Sequence, residues 1–350
     1  MVFTRHPQNP LIKPSDVKPS RPDFEVIGAF NAGVTRYNDE VILLLRVAER
    51  PISHDAAWTS YPSMDEQGEI SIRTIARTDT RYNLSDSRLI VDLQTNQLML
   101  TSISHIRLAR SDDGVHFKVD EHPWLTPTPP YETYGAEDPR ITLINGVYYI
   151  NYSAVSPLGI ATALVSTRDF VNIDRLGIIF PPSNRDVTLF PSQIGGDYVC
   201  YHRPMPGAFG GLNIWLARSP DLKRWGNHQL VLQGMPDGWD GGRVGGGAPP
   251  LLTDRGWLSI YHAADRQQRY CLGFFLTPEE NPERVILQSR EPILSPEALY
   301  ETEGFFSNVV FTCGALLKGD TLQIYYGASD ESIGLAEAKL ADIFALGKTV

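Results

Sequence analysis

Short strands and polar turns recur along this chain at nearly even intervals, and no other feature limits its fold as much. One recurring stretch is apolar or aromatic and ends in polar groups: Asp39–Arg46, Gly146–Ser153, Asp197–Arg203, Gly256–His262 and Asp320–Tyr326. A second apolar run follows each and enters a Ser/Thr/Asp turn, as in Ile106–Asp113, Thr162–Asp169 and Ile214–Asp221. Weaker copies lie at Leu272–Pro278 and Ile333–Lys339. With Ser111, Ser166, Ser219 and Thr277 as markers, the steps are 55, 53 and 58 residues. Strand-built repeats of this size point to radial repetition of small sheets. Five copies fit 350 residues. The expectation is an all-β, five-bladed β-propeller forming a single domain over residues 1–350. A β-sandwich would not generate such a period. Residues 1 to about 25 are Pro-rich and polar and read as an extended entry segment. Helix signals are scarce, with one short turn expected between Glu337 and Leu346.

A propeller would bring equivalent strand ends to one end of its axis. Those ends carry Arg46, Ser153, His202 with Arg203, His262 and the run Tyr326–Asp330. Polar residues that interrupt apolar strands at equivalent places are expected to converge on one pocket.

Composition narrows the ligand. The net charge of −10 provides no basic footprint for nucleic acid, while leaving room for a locally basic pocket. The N-terminus has no apolar signal region, and the run Val41–Leu45 is far too short to span a bilayer, so a soluble cytoplasmic protein without membrane contact is expected. Assembly into a homo-oligomer is left open. Cys200, Cys271 and Cys313 are widely spaced in apolar strands and read as buried free thiols. The eight His are scattered without metal-ligand spacing, so no metal or cofactor is expected.

Three stretches could carry chemistry. The first is Gly135-Ala-Glu-Asp-Pro-Arg140, where Glu137 and Asp138 sit at a Pro-stiffened turn. Pro139 is expected to push Asp138 toward extended backbone. Either carboxylate could be a general acid, its pKa raised by burial and by its neighbour. The plainer alternative is an Asp-Pro turn whose carboxylate serves only backbone amides. The second is a basic set: Arg185, Arg203, His262 and Tyr270, which suits an oxyanion such as phosphate. Singly, each Arg would more often form a salt bridge between sheets, and His262 would be a hydrogen-bonded core residue. The third is the Gly-rich run Gly241–Pro250, which lacks the Lys-Ser/Thr of a P-loop and reads as a tight loop at the pocket mouth, with Arg243 in reach of a substrate. Tyr131, Tyr134, Trp215, Trp225, Trp239 and Trp257 are mainly core candidates, some suited to stacking on sugars.

Six motifs occur in order: Gly-Ala-Glu-Asp-Pro-Arg, Asn-Arg-Asp-Val-Thr-Leu-Phe-Pro, His-Arg-Pro, Gly-Trp-Leu-Ser-Ile-Tyr-His, Ser-Asn-Val-Val-Phe and Tyr-Tyr-Gly-Ala-Ser-Asp. From about Asn9 to Asp342 the chain resembles the β-mannoside phosphorylases of glycoside hydrolase family 130. The resemblance implies a five-bladed propeller, in accord with the repeat count. It implies that Asp138 is the general acid, its proton passing through a hydroxyl of the bound mannose to the glycosidic oxygen. It implies that Arg185, Arg203, His262 and Tyr270 hold inorganic phosphate as co-substrate. It further implies that Asn31, Arg46, Asn308 and Asp330 contact the mannosyl ring. Glu137 becomes a substrate-binding or pKa-tuning neighbour, and Arg140 a structural partner of the turn.

The chemistry is coherent. An inverting hydrolase needs an acid and a base, whereas a phosphorylase needs only the acid and cations that align its anionic nucleophile. The expected reaction is inverting phosphorolysis of β-1,2-mannobiose or short β-1,2-mannooligosaccharides to α-mannose 1-phosphate. An inverting β-mannosidase, with Glu137 or Asp186 as base, and a β-1,4-mannoside phosphorylase are the alternatives. A glycan-binding propeller without chemistry is a third.

Overall fold

The computed structural model describes residues 2–350. It is nearly all β, with two short α-helices, Leu299–Thr302 and Leu340–Ala345. The expected terminal helix is thus present, but Ser332–Lys339 before it is strand. The chain runs as successive antiparallel meanders. The first is Phe24–Tyr37, Glu40–Pro51 and Ile103–Ser111, and the second is Gly135–Ile144, Val147–Ser156, Gly159–Thr167 and Asp174–Phe180. These two share one eight-stranded sheet, joined by a parallel contact of Gly135 with Ser104. Gly135 has φ +132°, and a Cβ there would meet the Ser104 amide at 2.6 Å, so the join requires glycine.

A four-stranded sheet follows, from Asn184–Leu189 to Gly226–Leu232. The next sheet has six strands, among them Arg243–Gly246, Gly256–Ala264 and Tyr270–Thr277, and takes Gly347–Thr349 from the C-terminus as its edge. The last sheet, Val310–Lys318, Thr321–Ala328 and Ser332–Lys339, takes Thr4–Arg5 from the N-terminus. Part of the entry segment is therefore a strand, and it also contains the 3₁₀ turn Pro14–Asp16. A long excursion between Glu40–Pro51 and Ile103–Ser111 carries two small sheets of its own.

Apolar side chains pack between neighbouring sheets. Ile42, Leu44, Ile150 and Tyr152 share one cluster, and Phe190, Tyr201, Tyr261 and Phe275 another. Trp257 is fully buried, edge-on to Phe190 at 5.1 Å. All three cysteines are buried and free. The repeated turns share one device. Asp113, Asp169 and Asp221 each accept two backbone amides, from the residues two and three positions on. In the second copy the hydroxyl partner is Thr167, not the marker Ser166.

The N-terminal strand is anchored by a buried ion pair. Glu301 accepts two hydrogen bonds from Arg5, at 2.7 and 2.8 Å, and one from the Tyr326 hydroxyl at 2.7 Å. Replacing one member of such a buried set strands the others. Glu301→Ala is expected to lower the unfolding free energy by about 3 kcal/mol, measured by urea titration.

Candidate functional site

Three inner strands carry the same irregularity. In each, two residues oppose one on the neighbouring strand: after Phe30, after Glu137 and after Arg185. The first extra residue is Asn31, Asp138 and Asp186, with φ of +48°, +52° and +56°. These are β-bulges, and Asn and Asp are the non-glycine residues that best tolerate left-handed backbone. Asp138 is therefore not extended, as the following proline suggested. The pairing of its strand with Val147–Ser156 overrides the local preference.

The bulges aim polar groups inward. Arg46, Ser153, Arg203 and His262 stand at equivalent register positions, opposite Phe30, Glu137, Arg185 and Gly245. The strand ends suggested one shared convergence; of these four only Arg46 lines the cavity, while Ser153, Arg203 and His262 do not. His202 departs from it: its ring is held by Asn184 and His228 and stacks on Phe180.

A cavity of about 640 Å³ opens at this convergence. Asn31, Arg46, Glu137, Asp138, Arg185 and Asp330 line it, with Arg243 and Tyr270. Asn31 donates to Asp138 Oδ1 at 2.9 Å, and Arg46 Nη1 donates to the same oxygen at 3.1 Å. Arg185 Nη2 lies 3.7 Å from Asp138 Oδ2. Glu137 bridges both guanidiniums, accepting from Arg46 at 2.8 Å and Arg185 at 2.7 Å. Burial pushes the Asp138 carboxyl up, but Arg46, Arg185 and the Asn31 amide outweigh it and hold it below the usual range. This reverses the raised pKa expected from burial, because the neighbouring guanidiniums dominate.

Asp330 behaves oppositely. Burial, reinforced by Asp138 and Glu137, pushes its carboxyl up to about 6 against the pull of Arg46 and Arg88.

Arg185 and Tyr270 line the cavity, whereas Arg203 and His262 lie buried and do not line it. Both point to Asp186 Oδ2, Arg203 Nη1 at 3.0 Å and His262 Nε2 at 3.1 Å. Arg140 Nη2 reaches Asp186 Oδ1 at 3.3 Å, while its other donors serve the carbonyls of Asp138, Gly246 and Gly247. Arg140 is thus a structural partner of the turn, and it also ties the turn to the next two sheets. Asp186 Oδ2, and His262 Nδ1, whose role depends on the tautomer, are buried without hydrogen-bond partners among the described residues, and so are the donors Arg203 Nε and Arg243 Nε. Buried donors of this kind call for an anion or polar ligand.

The Gly-rich run is partly strand, Arg243–Gly246, rather than a loop. A Cβ on Gly245 would collide with Asp186 Oδ2 and His262 Nε2. Asn308 is exposed and does not line the cavity, although its carbonyl accepts from the Tyr270 amide. The sequence reading did not single out Arg88, Phe305 and Phe306. Arg88 comes from the long excursion and sits 4.8 Å over the Phe306 ring. No repeat or motif marked them, since neither segment follows the repeat.

The family model described as beta-1,4-mannooligosaccharide phosphorylase matches residues 83–349. The chain belongs to glycoside hydrolase family 130. It is 46% identical over 346 residues to the beta-1,2-mannobiose phosphorylase of Listeria innocua, covering 98% of both chains. It is 40% identical over 244 residues to the 1,2-beta-oligomannan phosphorylase of a Thermoanaerobacter species, covering 69% of this chain and 80% of that one. The solved structure of the Listeria innocua enzyme with beta-1,2-mannobiose superposes with a TM-score of 0.95 over 99% of each chain.

Overpacking against a buried ion pair is costly. Gly245→Ala is expected to lower stability by about 1–3 kcal/mol, read by calorimetry, as Asp186 and His262 are displaced.

Proposed function

We propose that this chain catalyses inverting phosphorolysis of β-1,2-mannobiose or short β-1,2-mannooligosaccharides, giving α-mannose 1-phosphate and a shortened sugar. One observation carries the mechanism: a buried carboxylate, Asp138, faces the same cavity as Arg185, 3.7 Å away. An acid beside a cation needs no catalytic base, because phosphate arrives as an anionic nucleophile.

Asp138 is the general acid, and a mannose hydroxyl relays its proton to the glycosidic oxygen. Arg185 and Tyr270 meet the phosphate from the cavity wall, with Arg203 and His262 behind them and Arg243 at the rim. Asn31, Arg46 and Asp330 hold the mannosyl ring. The reaction needs no cofactor beyond phosphate. A phosphate dianion against Arg185 would offset the charge that keeps Asp138 ionised. Binding the nucleophile would thus raise the proton affinity of the acid.

Taking the eight-stranded sheet as two units makes five meanders, which supports a five-bladed propeller in one domain. The β-1,2 linkage is favoured by the full-length similarity to the Listeria innocua enzyme. The β-1,4-mannooligosaccharide phosphorylase of Ruminococcus albus is 31% identical over 59% of this chain. A hydrolase would need a free carboxylate base. Asp186 is engaged by Arg140, Arg203 and His262, and Glu137 by Arg46 and Arg185, so neither is free to activate water.

The reading is tested by incubating the protein with β-1,2-mannobiose, with and without phosphate. Cleavage is expected only with phosphate, and equal rates without it would refute phosphorolysis. Asp138→Asn should reduce kcat by about 10²–10⁴-fold with little change in the KM of the sugar. Asp330 supplies a pH signature. Its ionised form accepts charge-assisted hydrogen bonds from sugar hydroxyls. Its carboxyl is mostly protonated at pH 5 and mostly ionised at pH 7, so sugar affinity should rise across about pH 6. Titration calorimetry should show that rise in the wild type and a flat profile in Asp330→Asn.

A further inference from the structure

One turn geometry occurs twice in this chain, and the two copies differ where the backbone is left-handed. The first copy joins strands Trp58–Met64 and Ile70–Ala76 in the long excursion. The second joins Gly256–Ala264 and Tyr270–Thr277, beside the site. In the first, Asp65 Oδ1 accepts the amides of Gln67 and Glu69, both at 2.9 Å, and the Asp65 carbonyl accepts the Gly68 amide at 3.1 Å. In the second, Asp265 Oδ1 accepts the amides of Gln267 and Arg269, both at 2.9 Å, and the Asp265 carbonyl accepts the Gln268 amide at 3.1 Å. Gly68 has φ +87° and Gln268, at the same place in the turn, has φ +64°. Glycine suits that place best, since a side chain strains left-handed backbone. The turn itself therefore gives no reason for glutamine at 268.

The side chain's contact supplies one. Gln268 and Arg243 both line the cavity, and Gln268 Oε1 accepts a hydrogen bond from Arg243 Nη2 at 2.7 Å. A guanidinium has donors only, so the amide oxygen is the atom that must face it. Arg243 pairs in the sheet with Ala264, the last strand residue before the turn, which brings the two side chains within reach. Among the described residues Arg243 has no other side-chain hydrogen bond and no salt bridge. Its Nε is buried and unpartnered, and its guanidinium carbon lies 5.6 Å over the Tyr270 ring. Arg185, by contrast, is paired with Glu137 at 2.7 Å. A carboxylate partner offsets the charge of the guanidinium it holds, whereas an amide orients the fork and leaves its charge to the ligand.

We propose that Gln268 is a positioning residue of the anion site. It fixes the Arg243 guanidinium over Tyr270, so that an uncompensated positive charge already faces the cavity when inorganic phosphate arrives. This rests on the phosphorolytic reading above. A free arginine side chain would lose rotamer freedom on capturing the anion, and holding it beforehand removes that loss from the binding step. The strained backbone at 268 is what the turn gives up for a side chain that reaches Arg243.

Gln268→Gly separates this role from a structural one, because the two predict opposite changes in stability. Glycine relieves the left-handed backbone, so the thermal midpoint should stay level or rise. Phosphorolysis of β-1,2-mannobiose by the same variant should show the KM of phosphate raised at least about fivefold, with the KM of the sugar unchanged. Gln268→Glu keeps the reach but sets a carboxylate against Arg243, and it should raise the KM of phosphate as well. In an Arg243→Ala background, Gln268→Gly should change the KM of phosphate no further, since the residue acts through that arginine.

An unaltered KM of phosphate in Gln268→Gly overturns the proposal. So does a lowered midpoint with both KM values raised, which marks a residue that serves only the fold. A rise confined to the KM of the sugar assigns Arg243 to the sugar and overturns it too, as does an undiminished effect of Gln268→Gly in the Arg243→Ala background. Cleavage that proceeds equally well without phosphate would sink the phosphorolytic reading itself. Phosphate-dependent cleavage with any of the overturning results would sink this inference alone.

Discussion

A carboxylate taken out of water is tolerated only when cations and hydrogen-bond donors replace its hydration. Asp186, 3% exposed, meets that condition with Arg140 from the second meander, Arg203 from the third and His262 from the fourth. The cluster is both a fastener between sheets and the back wall of the site. Arg140 extends it to the backbone of Asp138, donating to that residue's carbonyl at 3.1 Å. Asp138 and the cations around Asp186 are thus held by one connected set of charges. Removing Asp186 would leave the buried Arg203 guanidinium without its ion-pair partner.

The β-bulges make this arrangement reachable. A regular strand turns successive side chains to opposite faces, so adjacent residues cannot both face one cavity. An extra residue in left-handed conformation breaks the alternation and brings Glu137 and Asp138 to the same cavity. It does the same in kind for Arg185 and Asp186, sending one to the cavity wall and the other to the cluster behind it. Gly245 completes the packing, since only a residue without Cβ lets the fourth meander press against Asp186 and His262.

Much of this was legible from residue order. The Ser/Thr-x-Asp turns mark three of the meanders because a carboxylate two residues on can accept two amides where the chain reverses, although Thr167 rather than Ser166 fills the position in one copy. The equivalent register of Arg46, Arg203 and His262 followed from their places at strand ends, but only Arg46 lines the cavity. His202 showed the limit of that reasoning, because strand alternation sends it away from Arg203. Arg88 and Phe306 were invisible because the segments that carry them do not repeat.

By itself, the sequence determined the recurrence of strands, the chemistry of three turns and which residue types stand at the strand ends. Those properties are local: they depend on alternation over a few residues and on side chains meeting their own backbone. Only the tertiary structure decided that Asp138 adopts left-handed backbone, that its carboxyl is held down rather than up, and that Arg203 and His262 answer to Asp186. Backbone strain, charge state and access are set by groups brought together from distant strands, such as Asn31, Arg46 and Arg185 around Asp138. A window of neighbouring residues contains none of them.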